Sequence, residues 1–363
     1  MRIKMAFVFI VVFTGLLSAQ ELLWFPMDSI WIGANTKNKN MVEFKKYTDF
    51  KIVIYGNILA FFTNEILYNY DYFKNNLYKI TTVITDPKTG YRYYNAEHSS
   101  GKEKSRIYFL QSKDFMVIIK EYIVDGKKHL QYGFDHFENY NLSMTEMIDR
   151  RKKTLVGDGY CEYEYIESGI KSIVASSYLI ETIANKKIDY KPEYLISRVC
   201  KLEEDTDGSI PTFDNFMRCW AEGVPGDGIG EWLEVEFARP SDEIMILNGY
   251  VDFKNMSAYK NNNRLKRIRI ESQDPQFNIE YTLPDYVAYH SIPLPQKTKK
   301  VKITILEVYK GLKYEDTCVT AIALPQERKR SIEEEKKEVL FYLKQAGFFE
   351  YLERYRKEAM GKQ

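Results

Sequence analysis

Short stretches in which apolar and polar side chains alternate recur along most of the chain, and this period of two predicts β-strands. Residues 21–140 contain such stretches at 50–55 and 79–85. Turn residues separate them, most clearly Asp86–Gly90 and Asp125-Gly126, and the second pair is typical of a two-residue hairpin. Because helical periodicity is nearly absent here, the sequence predicts an N-terminal antiparallel β domain, built as a sandwich or an open barrel.

The same alternation returns between residues 169 and 324. Within Trp232–Phe237, every second residue is apolar and faces one side of the predicted strand, whereas glutamates occupy the other side. The segments 268–270 and 301–305 repeat this pattern. Several short strands joined by polar turns predict a second β domain, a sandwich or jelly roll.

Two segments depart from the β pattern. Residues 141–168 are interpreted as a linker, with a possible helix-capping box at Ser143 and Glu146. Residues 325–363 begin at a strand-breaking proline and carry apolar positions at helical spacing, which predicts a C-terminal helical tail. The tail helix at 331–355 either packs on its own protein or docks a protein partner.

The first residues have the three-part layout of a secretory signal peptide. Arg2 and Lys4 precede the apolar run Ala6–Leu17, and small residues follow at Ser18-Ala19. A run of about 12 apolar residues is too short to span a bilayer comfortably. We therefore expect cleavage near residue 20 and an exported protein in the periplasm, the cell envelope or the extracellular space, not an integral membrane protein; the alternative is an uncleaved anchor.

The amino-acid composition and the absence of catalytic motifs exclude several classes of protein. The 52 basic and 51 acidic residues give a formal charge of +1, which excludes a strongly basic nucleic-acid-binding protein. The 29 tyrosines and 21 phenylalanines favour β structure. The chain contains no His-Glu-x-x-His or Gly-x-Ser-x-Gly motif, so we expect no enzyme. A pair of carboxylates for glycoside hydrolysis stays open, because sequence does not show their separation.

Four segments of the second domain carry a resemblance to a known family. They are Arg218–Phe237 (RCWAEGVPGDGIGEWLEVEF), Asn248–Tyr250, Tyr259–Lys266 and Val308–Cys318. In this order and spacing they resemble the NADase-type glycan-binding domain, also called the NAD glycohydrolase translocation F5/8 type C domain, a discoidin-like module. The resemblance covers about residues 169–324.

This resemblance implies a galactose-binding-like jelly-roll β-sandwich and carbohydrate binding rather than catalysis. No toxin catalytic domain is recognisable in the chain, so the NAD-cleaving activity of the family name does not carry over. The expected fold is thus mainly β: an N-terminal antiparallel β domain, a discoidin-like jelly roll and a helical tail.

A sugar site needs an aromatic face for C–H groups and planar polar side chains for paired hydroxyls. Tyr309 and Tyr314 have suitable chemistry near predicted loops. The residues that we nominate for glycan binding are Tyr250, Tyr259, Asn262, Asn263 and Arg264. The alternative is that the asparagines only shape a turn and the arginine only pairs with a carboxylate.

Four glycines at positions 223, 226, 228 and 230 predict a tightly folded loop. A phosphate-binding loop is excluded, because a strand rather than a helix follows and no Gly-Lys-Ser/Thr is present. Trp220 and Trp232 flank this loop and belong either to the core or to a sugar site.

Discoidin-like modules often hold a structural Ca²⁺ through loop oxygens. The available carboxylates are Asp214, Glu222, Asp227 and Asp316. Two departures from the family weaken that case: an insertion at 197–214 displaces the expected loop, and Ala321 stands where relatives commonly have an acidic residue. We therefore expect no cofactor and no metal at a catalytic position, with a structural Ca²⁺ left open.

Four cysteines in an exported chain permit two disulfides. The resemblance brings the segments around Cys219 and Cys318 together, which predicts a Cys219–Cys318 disulfide. A Cys200–Cys219 bond is the rival, and two buried thiols are the alternative.

Together these observations lead to two hypotheses. The first is an exported, non-catalytic carbohydrate-binding protein that recognises envelope or surface glycans. The second is a structural scaffold that docks a protein partner through its N-terminal domain or its tail helix.

Overall fold

The computed structural model describes most of both β domains. The described residues are 23–34, 42–55, 58–63, 77–98, 101, 103–111, 116–124, 127–134, 168–196, 218–252, 255–325 and isolated positions of the tail. The predicted signal peptide, nearly all of the predicted linker and the predicted insertion at 197–214 lie outside the described residues, as do Cys161, Cys200 and Asp214.

Within the described residues, the first domain is a closed barrel of eight antiparallel strands that follow one another in chain order. The strands are β1 (Leu23–Ala34), β2 (Val42–Tyr55), β3 (Ile58–Thr63), β4 (Leu77–Thr85), β5 (Arg92–His98), β6 (Lys104–Gln111), β7 (Met116–Val124) and β8 (Lys127–Phe134). Closure occurs where β8 returns to β1, with Ile32 opposite Tyr132. The expected antiparallel β domain is confirmed, whereas the sandwich or open barrel is corrected to a closed barrel.

The turn signals in the sequence mark real hairpins. Val124 pairs with Lys127, so the β7–β8 connection has the predicted length of two residues. Between β4 and β5, the Gly90 N–H donates to the Asp86 carbonyl at 2.7 Å, and the Lys88 N–H donates to Asp86 Oδ1 at 2.8 Å. Gly90 has a φ of +77°, a conformation that favours glycine.

In the described part of the second domain, the structure shows nine strands and two short helices, starting at Ile170. They are β9 (Ile170–Ala175), β10 (Ile180–Ile183), β11 (Lys186–Asp189), a 3-10 helix (Pro192–Leu195), β12 (Trp220–Ala221), β13 (Trp232–Asn248), α1 (Ala258–Asn261), β14 (Asn263–Gln273), β15 (Gln276–Thr282), β16 (Tyr289–Tyr309) and β17 (Thr317–Ala323). The main sheet has the order β12-β17-β13-β16-β14-β15, and β9 pairs with β13. The hairpin β10–β11 forms a separate two-stranded sheet.

The apolar residues of the alternating segment Trp232–Phe237 lie in the hydrophobic core of this domain. Leu233, Val235 and Phe237 are at most 2% exposed and pack in one cluster with Ile303 of β16 and Trp220. Full burial of one such aliphatic or aromatic side chain stabilises a fold by about 1.5–3 kcal/mol. Trp220 therefore belongs to the core, whereas Trp232 is only half-buried, with Lys302 Nζ 4.7 Å from its ring centroid.

A mainly β chain with a discoidin-like second domain agrees with the fold expected from sequence. The predicted helical tail is not supported, because most of residues 326–363 lie outside the described residues; among the described tail positions, Glu334 and Phe341 are helical. In the part of the chain that the structure describes, no helix has the length and apolar character needed to cross a membrane.

Candidate ligand-binding site at the loop end of the jelly roll

Three loops meet at one end of the second domain. The first residues of β14 and β17 pair in parallel, with Asn263 opposite Thr317, so the loops that precede these strands adjoin. Ala221 at the end of β12 pairs with Cys318, which brings the glycine-rich loop to the same place. We call the loops 222–231, 249–262 and 310–316 together the loop end.

Arg264 lies beneath these loops and is 3% exposed. Its Nε and Nη2 donate to Oδ1 and Oδ2 of Asp285, each at 3.0 Å, in a bidentate pair. Its Nη1 donates to the backbone carbonyls of Asn262 at 2.8 Å and Lys310 at 3.2 Å. The guanidinium therefore joins two loops of the loop end to each other, and its strongest donors are used within the protein.

The two asparagines also bond inside the protein. Asn262 donates to the Ala258 carbonyl at 2.8 Å and so ends α1. Asn263 is fully buried, donates to Asp227 Oδ1 at 3.0 Å and accepts from the Gly311 N–H at 2.6 Å. Asn263 thus ties the glycine-rich loop to the 310–316 loop.

The two tyrosines differ in burial. Tyr259 is 0% exposed, its hydroxyl donates to Asp285, and burial raises its pKa above the ordinary value. Tyr250 is half-buried and packs against Cys219 and Cys318. Burial raises the pKa of Tyr250 as well.

Four of the five nominated glycan residues are thus brought together, but as the support of the loops rather than as their surface. Sugar contact by these residues stays a prediction, and their burial does not favour it. Asp285 is the partner that sequence reasoning missed; only the expectation that Arg264 pairs with some carboxylate pointed to it.

The glycine-rich loop is anchored on both sides. On one side, the Gly223 N–H donates to Ser177 Oγ at 2.9 Å, and Ser177 Oγ donates to Glu231 at 2.5 Å. On the other side, Thr317 Oγ1 donates to the Asp227 carbonyl at 2.8 Å, and Lys310 forms an ion pair with the Asp227 carboxylate. Gly226, Gly228 and Gly230 have φ values of +94°, +65° and +93°, as a tightly folded loop requires.

Within the described residues, four large side chains are exposed on this loop and on the two segments that bond to it. They are Tyr178 (39%), Ile229 (55%), Leu312 (76%) and Tyr314 (54%). We call these four residues the exposed patch. Of them, only Tyr314 was a candidate from sequence, since no local signal distinguishes an exposed from a buried aliphatic residue in a loop.

The family comparison agrees with this architecture. A family model described as the NAD glycohydrolase translocation F5/8 type C domain matches residues 164–325. The second domain is a translocation-type F5/8 type C domain. The resemblance expected from sequence is confirmed, and residues 1–163 and 326–363 lie outside the match.

Solved structures show weaker likenesses. The Streptococcus pyogenes NAD+-glycohydrolase translocation domain is 21% identical over 28% of this chain and 92% of that chain, with a TM-score of 0.23. Allantoicase from Saccharomyces cerevisiae is 12% identical over 70% of this chain and 81% of that chain, with a TM-score of 0.25. Arabinofuranosyltransferase AftD from Mycobacteria is 14% identical over 46% of this chain, with a TM-score of 0.28, and this chain spans only 11% of its length. No curated protein matches the chain.

Two of the carboxylates considered for Ca²⁺, Glu222 and Asp227, bond to donors within the translocation-type domain. Glu222 is buried and accepts the backbone N–H groups of Val224 at 2.9 Å and Thr317 at 3.2 Å. Burial raises its pKa, although these two amides oppose the shift. The Lys310 hydrogen bond lowers the pKa of Asp227. Within the described ranges no three His, Cys, Asp or Glu residues converge, and a structural Ca²⁺ stays a prediction.

The two cysteines of the translocation-type domain correct one expectation. Cys219 and Cys318 are buried in one small cluster, on the neighbouring strands β12 and β17. Both are free thiols, so the predicted Cys219–Cys318 disulfide is wrong, although the expected proximity of the two segments is correct. A hydrogen bond between its S–H and Cys219, together with burial, raises the pKa of the Cys318 thiol.

Proposed function

We propose that the chain is an exported, non-catalytic protein that binds carbohydrate through the exposed patch of its translocation-type domain. The observation that carries the proposal is Tyr314, an aromatic side chain that is 54% exposed on an anchored loop. Its ring offers a flat apolar surface to the C–H face of a sugar, and its hydroxyl offers a hydrogen bond. Tyr178 supplies a second exposed ring beside the glycine-rich loop.

The backbone that carries Tyr314 is fixed before any ligand arrives. The N–H groups of Lys313 and Tyr314 donate to the Asn261 carbonyl at 3.0 and 2.9 Å. The Leu312 N–H donates to the Lys260 carbonyl at 2.9 Å. A loop held in this way loses little conformational entropy on binding, which favours recognition of a small ligand. In this proposal, Asn263 and Arg264 position the loops, and the exposed patch makes the contacts.

A glycan array with residues 21–363 tests the proposal. We expect selective binding by the unmodified protein and at least a tenfold loss for Tyr314→Ala, about 1.4 kcal/mol of binding free energy. Phe341→Ala is the matched control, because Phe341 is 57% exposed but belongs to the tail. Equal binding by the Tyr314→Ala and Phe341→Ala variants refutes the exposed patch as the site. No binding by the unmodified protein at millimolar sensitivity refutes carbohydrate as the ligand.

One observation favours a second candidate, a protein partner. Leu312 is 76% exposed and Ile229 is 55% exposed, and aliphatic side chains offer neither a donor nor an acceptor to the hydroxyl groups of a sugar. A photo-crosslinking residue at position 312 distinguishes the candidates in the host envelope. A single protein adduct formed from position 312, and not from the control position Ile183 (49% exposed), supports protein docking.

A further inference from the structure

The turn between β4 and β5 of the barrel lies against the jelly roll. Tyr91 at the end of this turn is 1% exposed. Its hydroxyl donates to the Asp252 carbonyl at 3.1 Å and accepts the Asp252 N–H at 3.0 Å. One side chain of the first domain thus satisfies both backbone groups of a residue in the 249–262 loop.

Gly90 makes the second contact. Its carbonyl accepts the Val287 N–H at 2.9 Å. A Cβ at position 90 would lie 2.5 Å from Cε1 and 2.7 Å from Cδ1 of Tyr259, so only glycine lets the backbone come this close to the ring. Arg92 lies over the ring of Tyr286, with its Cζ 5.0 Å from the centroid.

The contact continues into the wall of the barrel. Tyr91 packs edge-on between Tyr259 of the jelly roll, at a centroid distance of 6.4 Å, and Tyr108 of β6, at 6.1 Å. Tyr108 is itself 3% exposed. The turn is also stiff, since Asp86 bonds to Lys88, Gly90 and Tyr91 within it.

We propose that the Asp86–Tyr91 turn is a docking element that locks the barrel onto the translocation-type domain and closes the Tyr259 face of the loop end to outside ligands. The turn acts as an intramolecular ligand: a glycine and a tyrosine fill the place beside Tyr259, Asp252 and Val287. The two domains then behave as one rigid unit. An outside ligand is left with the exposed patch, so this inference is independent of what that patch binds.

Hydrogen exchange measured on residues 21–363 tests the lock directly. The amides of Asp252 and Val287 belong to the jelly roll but donate to barrel oxygens. The neighbouring Val251 amide donates to Thr320 Oγ1 within the jelly roll at 2.8 Å and serves as an internal control. We expect Asp252 and Val287 to exchange at least about tenfold more slowly than unprotected amides.

Gly90→Ala and Gly101→Ala form a matched pair of variants. Both glycines lie in barrel hairpins with similar φ values, +77° and +70°, but a Cβ at position 101 meets nothing within 4 Å. Backbone strain is therefore common to both variants, and the clash with Tyr259 belongs to Gly90→Ala alone. We expect about tenfold faster exchange at Asp252 and Val287 in Gly90→Ala only, with Val251 unchanged. Oxidation of Tyr259 in hydroxyl-radical footprinting should rise in the same variant.

Tyr91→Phe covers the case in which Gly90→Ala disrupts the barrel itself. It removes only the hydroxyl, so exchange should increase at Asp252 while Val287 stays protected by the Gly90 carbonyl. Rapid exchange of both amides in the unmodified protein would overturn the lock. Equal effects of Gly90→Ala and Gly101→Ala on both amides would overturn it as well.

Discussion

Removal of the Asp285 carboxylate is the most informative perturbation of the loop end. Asp285 receives two hydrogen bonds from Arg264 at 3.0 Å and one from Lys260 Nζ at 2.6 Å. The Arg264 side chain is 4% exposed, whereas that of Asp285 is 27% exposed. Asp285→Ala therefore leaves a buried guanidinium without its counter-charge.

The loss of stability in Asp285→Ala depends on the hydrogen bonds that Arg264 retains. Removing one partner of a buried ion pair costs about 3–5 kcal/mol, because the other charge stays buried and uncompensated. Arg264 retains its Nη1 bonds to the carbonyls of Asn262 and Lys310, and water reaches part of the Asp285 position. We therefore expect the free energy of unfolding to fall by about 3 kcal/mol, the lower end of that range.

Glu280→Ala is the control. Glu280 also pairs with arginine, at 2.7 Å from Arg267 Nη1, but both side chains are at least 40% exposed. Exposed pairs contribute about 0.2–1 kcal/mol, so this change should be small. The assay is urea unfolding of residues 21–363 followed by tryptophan fluorescence, with exchange of β13 and β16 peptides assigning the transition to the second domain. Equal losses in Asp285→Ala and Glu280→Ala would refute the reasoning.

Acidification should reproduce part of the Asp285→Ala effect. Burial alone would raise the pKa of Asp285. The hydrogen bonds from Arg264 and Lys260 lower it by more than burial raises it, so the pKa lies below the ordinary value of 3.8. A carboxyl group whose pKa is lower in the folded state stabilises the fold above its unfolded pKa. This contribution is lost as the pH falls from about 4 through the folded value.

Two further predictions concern a glycine and a histidine. Gly228→Ala should destabilise the domain by about 1–3 kcal/mol more than Gly226→Ala in urea unfolding, because both glycines have positive φ but only a Cβ at position 228 meets a side chain, Glu222 Cγ at 2.5 Å. Burial lowers the pKa of His290, although its bond to the Tyr286 carbonyl opposes the shift, so the neutral ring stabilises the fold above the ordinary value of 6.5. That stability is lost as the pH falls. Between about pH 7 and pH 5, the unmodified protein should therefore lose more free energy of unfolding than His290→Gln does. The same pH dependence of stability in both proteins would contradict this.

Local patterns were sufficient to predict most of the β structure. The alternation at Trp232–Phe237 and the turn at Asp86–Gly90 depend on near neighbours alone, and both are present in the structure. The family segments also placed Cys219 and Cys318 side by side. What joins distant parts of the chain could not be predicted in this way: closure of the barrel depends on pairing of Ile32 with Tyr132, a hundred residues apart.

The loop end shows why the sequence did not predict the burial of its polar residues. A run of asparagines followed by arginine is typical of an exposed turn, because these side chains are costly to bury without partners. Here the partners come from far along the sequence: Asp285 for Arg264 and Asp227 for Asn263. Once satisfied, the polar side chains can lie beneath the loops that they hold together.

The same arrangement gives the loop end two faces with different roles. On one face, Tyr259 lies beneath Gly90, and the barrel occupies the space that a ligand would need. On the other face, Tyr314 and Leu312 extend from a loop whose backbone bonds to Lys260 and Asn261. Because Arg264 bonds to both Asp285 and the Lys310 carbonyl, it connects the docked face to the exposed one. Asp285→Ala should therefore weaken both docking of the turn and binding at the exposed patch, whereas Gly90→Ala should weaken docking alone. This difference would show that the two faces are distinct surfaces that both depend on Arg264.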